Sequence, residues 1–230
     1  MMRGVDGCRA GWLAISVDAP GGHPESRVFP DAPAMFQDGR AEITAIDIPI
    51  GLPTHGAREC DVEARRIIGA RRSSVFPTPL RRTLVAESYE LACAAALDAS
   101  GKKLSKQTFA ILPKIRQIDD LLRTDPARAA TVHEVHPEVS FTLWNQGRPM
   151  EFPKHSGFGF AERLRLVENQ FRGAAEQVRR AHTTKDVSDD DILDAFAALW
   201  TALRIRSSTA VRIGPQDATD ECGLPMCMWA

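Results

Sequence analysis

Residues 3–17, RGVDGCRAGWLAISV, contain two short apolar segments on either side of a turn that carries Gly7 and Gly11. Short apolar runs separated by glycine-rich residues predict a β-hairpin. Asp6 directly precedes the turn. The hairpin therefore predicts that the chain starts with two paired strands and that an acidic residue lies at the end of the first strand.

Further strands are predicted at 27–29, 43–48 and 131–136, and a short helix at 33–37. The β-branched run at 43–48 is closed by PIGLP, whose prolines cannot continue a ladder of hydrogen bonds. Asp47 is therefore expected at the C-terminal end of its strand. The segment of about 57–124 has mostly helical periodicity and is predicted to be a helical insertion, in which Pro113 is expected to kink a helix or mark its first turn.

The last strong helical pattern covers residues 189–206, with Ser188 as the N-cap and Asp191 at capping-box spacing. Bulky apolar residues form one stripe of this helix, and Asp194 lies on the opposite side. That side continues with small residues, namely Ala197, Ala198 and Thr201. A face of small residues lets a helix approach a sheet closely, which would bring Asp194 to the sheet. A hairpin followed by alternating strands and helices predicts a single α/β domain over 1–230, with a mixed sheet covered on both faces.

The composition is that of an ordinary globular protein. Lys and Arg total 29 against 30 Asp and Glu, so no global basic field indicates a nucleic-acid partner, and any such partner must be bound by a local patch. The five cysteines have unrelated spacings and predict free thiols in a reducing cytoplasm. No long apolar run indicates a membrane span or a signal peptide.

Acidic residues recur where strands end or a helix begins. They are Asp6, Asp47, Glu134 and Asp194. In α/β sheets, ligands lie beyond the carboxyl ends of the strands, and clustered carboxylates need a cation to offset their repulsion. The pattern predicts a divalent-metal site. Other roles remain open: Asp6 as a turn former, Asp191 as a capping residue and His136 as a core histidine.

Several long motifs resemble those of the family known as domain of unknown function 429. They are GVDGCRAGW, AIDIPIGLP, RECDVEARRIIGARRSSVFPTP, SKQTFAILPKIRQID, EVHPEVSF and DDDILDAFAAL. The family is described as predicted nucleases with an RNase H-like fold. The resemblance implies a five-stranded sheet with a first-strand acid, a second acid at the end of the fourth strand and one or two acids on a late helix. The helical insertion would then lie between the fourth and fifth strands.

Asp6 and Asp47 match the two strand positions that the resemblance implies. Asp191 and Asp194 are similar to the terminal-helix acids of RuvC-type resolvases. Glu134 has no fixed counterpart, whereas His136 and Glu138 belong to the HPE motif of the family itself, where we expect a substrate-binding role.

The expected function is hydrolysis of nucleic-acid phosphodiester bonds with Mg²⁺ or Mn²⁺, in which two cations about 4 Å apart stabilise the attacking and leaving oxygens. Asp6 would bridge the ions, while Asp47 and Asp194 would each hold one; Asp191 and Glu134 are further catalytic candidates. Phosphate contacts are expected from the loop residues Arg71, Arg72, Ser73 and Ser74.

Two other functions remain open. An ATP-binding or phosphoryl-transfer protein of actin-like type also places an acid and a glycine-rich hairpin at its first strand. A nucleic-acid-binding module with a catalytically silent site is the other alternative. A homodimer is also left open.

Overall fold

A five-stranded mixed sheet forms the centre of the computed structural model, which describes residues 1–230. Its strands are β1 (Met2–Cys8), β2 (Gly11–Val17), β3 (Glu25–Phe29), β4 (Ile43–Ile46) and β5 (Val132–Glu134). They lie in the order β3-β2-β1-β4-β5. The first three strands are antiparallel, and β4 runs parallel to both β1 and β5. The prediction of an α/β protein with a five-stranded mixed sheet is confirmed.

The helices are α1 (Ala32–Gln37), α2 (Glu59–Ile67), α3 (Tyr89–Ser100), α4 (Lys106–Thr124), α5 (Pro126–Ala129), α6 (Pro137–Trp144), α7 (Gly157–Gln170), α8 (Ala174–Ala181) and α9 (Asp189–Arg206). Two 3₁₀ helices cover Gly69–Ser74 and Arg81–Thr83. Helices α2 to α5 lie between β4 and β5. Near the C-terminus, β6 (Arg212–Ile213) pairs with β7 (Met228–Trp229) in a separate two-stranded sheet.

Each face of the central sheet packs against its own helices. Alternate residues of β2 point to opposite faces. Leu13 lies in the core shared with α9, together with Phe196. Trp12 lies in the core shared with α1 and α4, together with Ile115. The sheet is therefore buried on both sides, as the mixed pattern of elements predicts.

Helix α9 and β1 touch through their backbones at Gly4. A Cβ atom at this position would lie 2.1 Å from the amide nitrogen of Leu199 and 2.4 Å from the carbonyl oxygen of Ala195. Only glycine fits such an approach. Gly4 thus sets how close α9, and the acid near its N-terminus, comes to the first strand.

Several predicted boundaries differ from the structure. The strands at 27–29 and 43–48 are observed with shifted ends as β3 and β4. The strand at 131–136 is only β5, because Pro137 starts α6 and His136 is its N-cap residue. A first-turn position for Pro113 is wrong: α4 begins after the N-cap Ser105, and the exposed proline lies inside the helix.

All five cysteines are free thiols, as their spacing predicts. None of the helices combines the length and the hydrophobicity that are needed to cross a membrane.

Candidate metal centre

Three carboxylates meet at the edge of the sheet where β1 and β4 end. One oxygen from each of Asp6, Asp47 and Asp194 lies within 4.8 Å of the other two. Asp6 is in β1, and Asp47 directly follows β4, where its amide donates to the carbonyl of Val5 at 3.0 Å. The parallel pairing of β1 and β4 therefore places the two strand acids side by side.

The third carboxylate comes from the second turn of α9. Ser188 starts this helix through a complete capping box: its hydroxyl accepts from the amide of Asp191, and Asp191 accepts from the amide of Ser188 at 2.7 Å. The capping-box prediction is confirmed. Together with the contact at Gly4, this defined start brings Asp194 to the strand acids.

Burial makes the negative charge of this cluster costly. It raises the pKa of Asp6 well above its usual range, with the neighbouring carboxylates of Asp194 and Asp47 as further causes. Burial also raises the pKa of Asp47 to about 7 and that of Asp194 to about 6, although Lys154 acts against both shifts. Three acids with raised pKa values in one place mark a candidate functional site, where a proton or a cation would offset the negative charge.

Lys154 is the cation that this chain supplies to the cluster. Its Nζ donates to Oδ2 of Asp194 at 2.9 Å, and its side chain is 35% exposed. Burial is the largest single effect and would lower the pKa of Lys154, but the charge and hydrogen bond of Asp194 together with the charges of Asp6 and Asp47 raise the pKa overall. No side chain donates a hydrogen bond to Asp6 or Asp47. One lysine against three carboxylates leaves a net charge of −2 when all are ionised.

These residues fit a divalent cation. Carboxylate oxygens are the hard ligands that Mg²⁺ and Mn²⁺ take, and such ions keep several waters besides one to three carboxylates. The cluster offers three oxygens from three elements and carries the charge that one divalent ion would neutralise. Asp6, Asp47 and Asp194 would hold the metal.

Glu134 lies outside this cluster and binds a buried arginine, Arg58, which it shares with Asp61. Its two carboxylate oxygens accept from the guanidinium of Arg58 at 2.6 and 2.7 Å, and the amide of Ile50 donates to it at 2.6 Å. Arg58 also donates to the carbonyl of Ile50 at 2.8 Å. This buried pair anchors the PIGLP loop that follows Asp47.

Glu138 is neutralised in the same way, since Arg163 donates to both of its oxygens at 2.6 and 2.8 Å. Arg71 lies further off, with its Nε 3.9 Å from Glu138. The half-buried His136 has its Nε2 3.2 Å from the carbonyl oxygen of Ser74. The HPE motif therefore connects α6 with α7 and with the loop at 69–79.

Asp191 lies close enough for its charge to raise the pKa of Asp6, yet its side chain is engaged in the capping box. The predicted phosphate-binding residues lie on the 3₁₀ helix Gly69–Ser74. Arg72 and Ser73 are exposed there, whereas Arg71 and Ser74 are half-buried.

Sequence patterns did not reveal Lys154 at the site or Lys114 in its surroundings. Lys154 lies in an irregular loop before α7, where no periodicity marks it. Lys114 donates to the carbonyls of Cys8 and Gly11 and lies 4.7 Å from the ring centroid of Trp12. Lys114 lies four residues before the buried Ile118 in α4, so its helical spacing places it on the buried side. This spacing alone does not identify a site residue.

Fold and site together define an α/β protein with a largely buried cluster of three carboxylates at the edge of a mixed sheet. The family model described as "Protein of unknown function (DUF429)" matches residues 4–219, and the chain belongs to this family. No curated protein and no solved structure gives a significant match.

Proposed function

We propose that this protein is a divalent-metal-dependent phosphodiesterase that hydrolyses nucleic acid, and that its fold is RNase H-like. The observation that carries the proposal is the meeting of Asp6, Asp47 and Asp194 within 4.8 Å of one another, with one lysine to offset their charge. Such a site suits a reaction in which a cation stabilises negative charge on phosphate oxygens.

The places of the three acids in the chain support the RNase H-like assignment. Asp6 lies on the first strand, Asp47 directly follows the fourth strand, and Asp194 lies on the last helix. These are the positions that the family resemblance implies. The helices between β4 and β5 likewise correspond to the implied insertion.

All three acids would hold the metal. The charges of both Asp194 and Asp47 help to raise the pKa of Asp6, and one oxygen of each acid lies within 4.8 Å of the other two. The bound metal would supply Lewis acidity and lower the pKa of a water molecule.

Lys154 suits a second role once a metal takes over the charge of Asp194. Its ammonium group is a compact donor on a flexible stem, and its side chain is partly exposed. Beside the carboxylates, it is positioned to bind a phosphate oxygen of the substrate.

The acids that are paired with arginines hold in place the segments around the site. Arg58 and Glu134 fix the loop that carries Asp47, while Arg163 and Glu138 fix the start of α6 beside it. We assign these residues to positioning and leave the chemistry to the three carboxylates.

The test is cleavage of a panel of DNA and RNA structures in Mn²⁺ by the full chain and by its Asp194→Asn variant. We expect cleavage by the wild type and none by the variant, with both folded. Asp189→Asn is the matched control: it removes an acid from the same helix, but its side chain is exposed and bonds Arg179 at 3.1 Å.

Cleavage by Asp194→Asn at the wild-type rate would refute the proposed site. A wild type that cleaves nothing but is stabilised by ATP in a thermal melt would favour the actin-like alternative. Retention of nucleic acid without turnover would favour a silent binding module.

A further inference from the structure

A large groove opens between the loop at 69–79 and the connection from α3 to α4. Its volume is about 800 Å³, and eighteen residues line it. One wall is formed by residues 72–80, and the other by the end of α3, the connection and the first turn of α4. Apolar side chains such as Leu80 and Leu104 lie in it, together with the ring of Phe76.

Every charged residue that lines the groove is basic. These residues are Arg65, Arg72, Lys102 and Lys103, and none of the eighteen lining residues is acidic. A second cavity, of about 380 Å³ between α7, α8 and α9, is acidic instead. Its charged lining residues are three acids, Glu168, Glu176 and Asp189, and one base, Arg179. In a protein with a net charge of −1, the first groove concentrates positive charge locally.

Three of these cations are free to bind a ligand. Arg72, Lys102 and Lys103 are exposed and form no ion pair within the protein. The nearby acid of α3, Asp98, is already paired with Arg82 at 2.6 Å. Arg65 differs, because its Nε donates to the carbonyl of Val75 at 3.0 Å and is thereby held against the loop.

The groove adjoins a small cavity beside one of the three carboxylates. Val75, Phe76 and Thr78 line both the groove and this cavity, which has a volume of about 20 Å³ and is bordered by Asp47. A ligand in the groove therefore lies against residues that also border the cavity beside Asp47.

We propose that this groove binds the sugar–phosphate backbone of a nucleic-acid strand whose continuation reaches the carboxylates. The inference rests on the proposed function and names the surface that holds its substrate. Three unpaired cations on the two walls can neutralise several phosphates at once. The apolar residues between the cations suit sugar faces, and a single aromatic ring is too little for base stacking along a strand. The groove should therefore bind with strong salt dependence and little sequence preference.

The test is fluorescence anisotropy of labelled single-stranded and duplex oligonucleotides with the full chain in EDTA, which stops metal-dependent cleavage. The groove variant is Arg72→Glu/Lys102→Glu/Lys103→Glu. The matched control is Arg165→Glu/Arg172→Glu/Lys185→Glu, which makes the same change of charge at exposed positions outside the groove. Thermal melts establish that both variants fold.

We expect the groove variant to lose at least about tenfold in affinity, with the slope of log Kd against log salt reduced by about 2 for a single strand. The control should stay near the wild type. Equal losses in both variants, wild-type affinity in the groove variant, or no binding by the wild type would each overturn the proposal. Competition by a mononucleotide as strong as that by the oligonucleotide would also overturn it, because it would indicate a site for a small anion.

The outcomes separate this inference from the proposed function. A wild type that binds through the groove but cleaves nothing in Mn²⁺ would leave the groove standing and refute the nuclease. Cleavage that survives unchanged in the groove variant, with unchanged binding, would refute the groove and leave the nuclease standing.

Discussion

Two groups of buried or half-buried acids lie near the same edge of the sheet, and they differ in what neutralises them. Glu134 and Glu138 each bind a buried arginine through both carboxylate oxygens. Asp6, Asp47 and Asp194 share one partly exposed lysine.

A buried carboxylate with a complete partner needs nothing further from outside the chain, whereas a buried carboxylate without one needs an external cation or a proton. Partnership thus separates the acids that hold the structure together from the acids that we propose to bind a metal. Each of the changes below tests that separation, and the largest expected effect comes first.

Removal of an arginine from a paired acid should be the most damaging change. Arg58→Met leaves Glu134 buried without its guanidinium, and we expect the free energy of unfolding to fall by about 3–5 kcal/mol. Urea unfolding at pH 7 measures this loss. Arg66→Met, an exposed change on the same helix, is the control and should change little. A loss below about 1 kcal/mol for Arg58→Met would show that this pair is not structural.

Removal of a carboxylate from the unpaired cluster should have the opposite sign. In EDTA at pH 8, Asp47→Asn relieves repulsion with Asp6 and Asp194, and we expect it to stabilise the protein by roughly 1–3 kcal/mol. Mn²⁺ should raise the melting temperature of the wild type more than that of the variant. A destabilisation as large as that of Arg58→Met would place Asp47 with the structural acids.

The same cluster predicts how stability depends on pH. The pKa is raised in the folded state to about 7 for Asp47 and to about 6 for Asp194, so the folded protein binds more protons than the unfolded chain. The stability of the metal-free protein should therefore fall as pH rises from about 4 to about 7, by at most about 1.4 kcal/mol per pH unit for each group.

Glu134 contributes in the same direction, because burial raises its pKa to about 7 against the opposing charge of Arg58. The difference between wild type and Asp47→Asn isolates the cluster. This difference should be small near pH 4.5 and grow up to pH 8, and a difference that is constant with pH would contradict the prediction.

Loss of Lys154 should have the smallest effect of the series. Lys154→Met removes the one internal cation of the cluster, and we expect a loss of about 1 kcal/mol in EDTA at pH 8, since the side chain is partly exposed. Mn²⁺ should then stabilise the variant by more than it stabilises the wild type. Lys185→Met, an exposed change, serves as control. Equal stabilisation of variant and wild type by Mn²⁺ would mean that Lys154 does not offset the cluster.

Much of the fold follows from local signals. The hairpin at β1 and β2, the bounds of α9 and the capping box at Ser188 were all predictable, because each depends on residues within a few positions of one another. The strand at 131–136 was predicted too long, since the helix-starting effect of Pro137 overrides the extended pattern. Pro113 is tolerated inside α4 because its ring lies on the exposed side, where water can satisfy the carbonyl that loses its amide donor.

The sequence only partly distinguishes the acids of the proposed site from the acids that are paired with arginines. The meeting of Asp6, Asp47 and Asp194 was predictable, because strand ends and a helix start converge at one edge of such a sheet. Their role as metal ligands stays a prediction. The partner of Glu134, by contrast, lies 76 positions away in the sequence, and that of Glu138 lies 25 positions away. Nothing in the local pattern of Glu134 marks it as already paired.

The sequence by itself determined where strands, turns and helix caps occur and which carboxylates lie at their ends, because such features depend on near neighbours along the chain. Tertiary structure alone decided which of those carboxylates are neutralised within the protein. Neutralisation depends on burial and on arginines that come from distant elements, and a short stretch of sequence specifies neither of them. Asp6, Asp47 and Asp194, which packing brings together without an arginine, are the acids that we propose as the site.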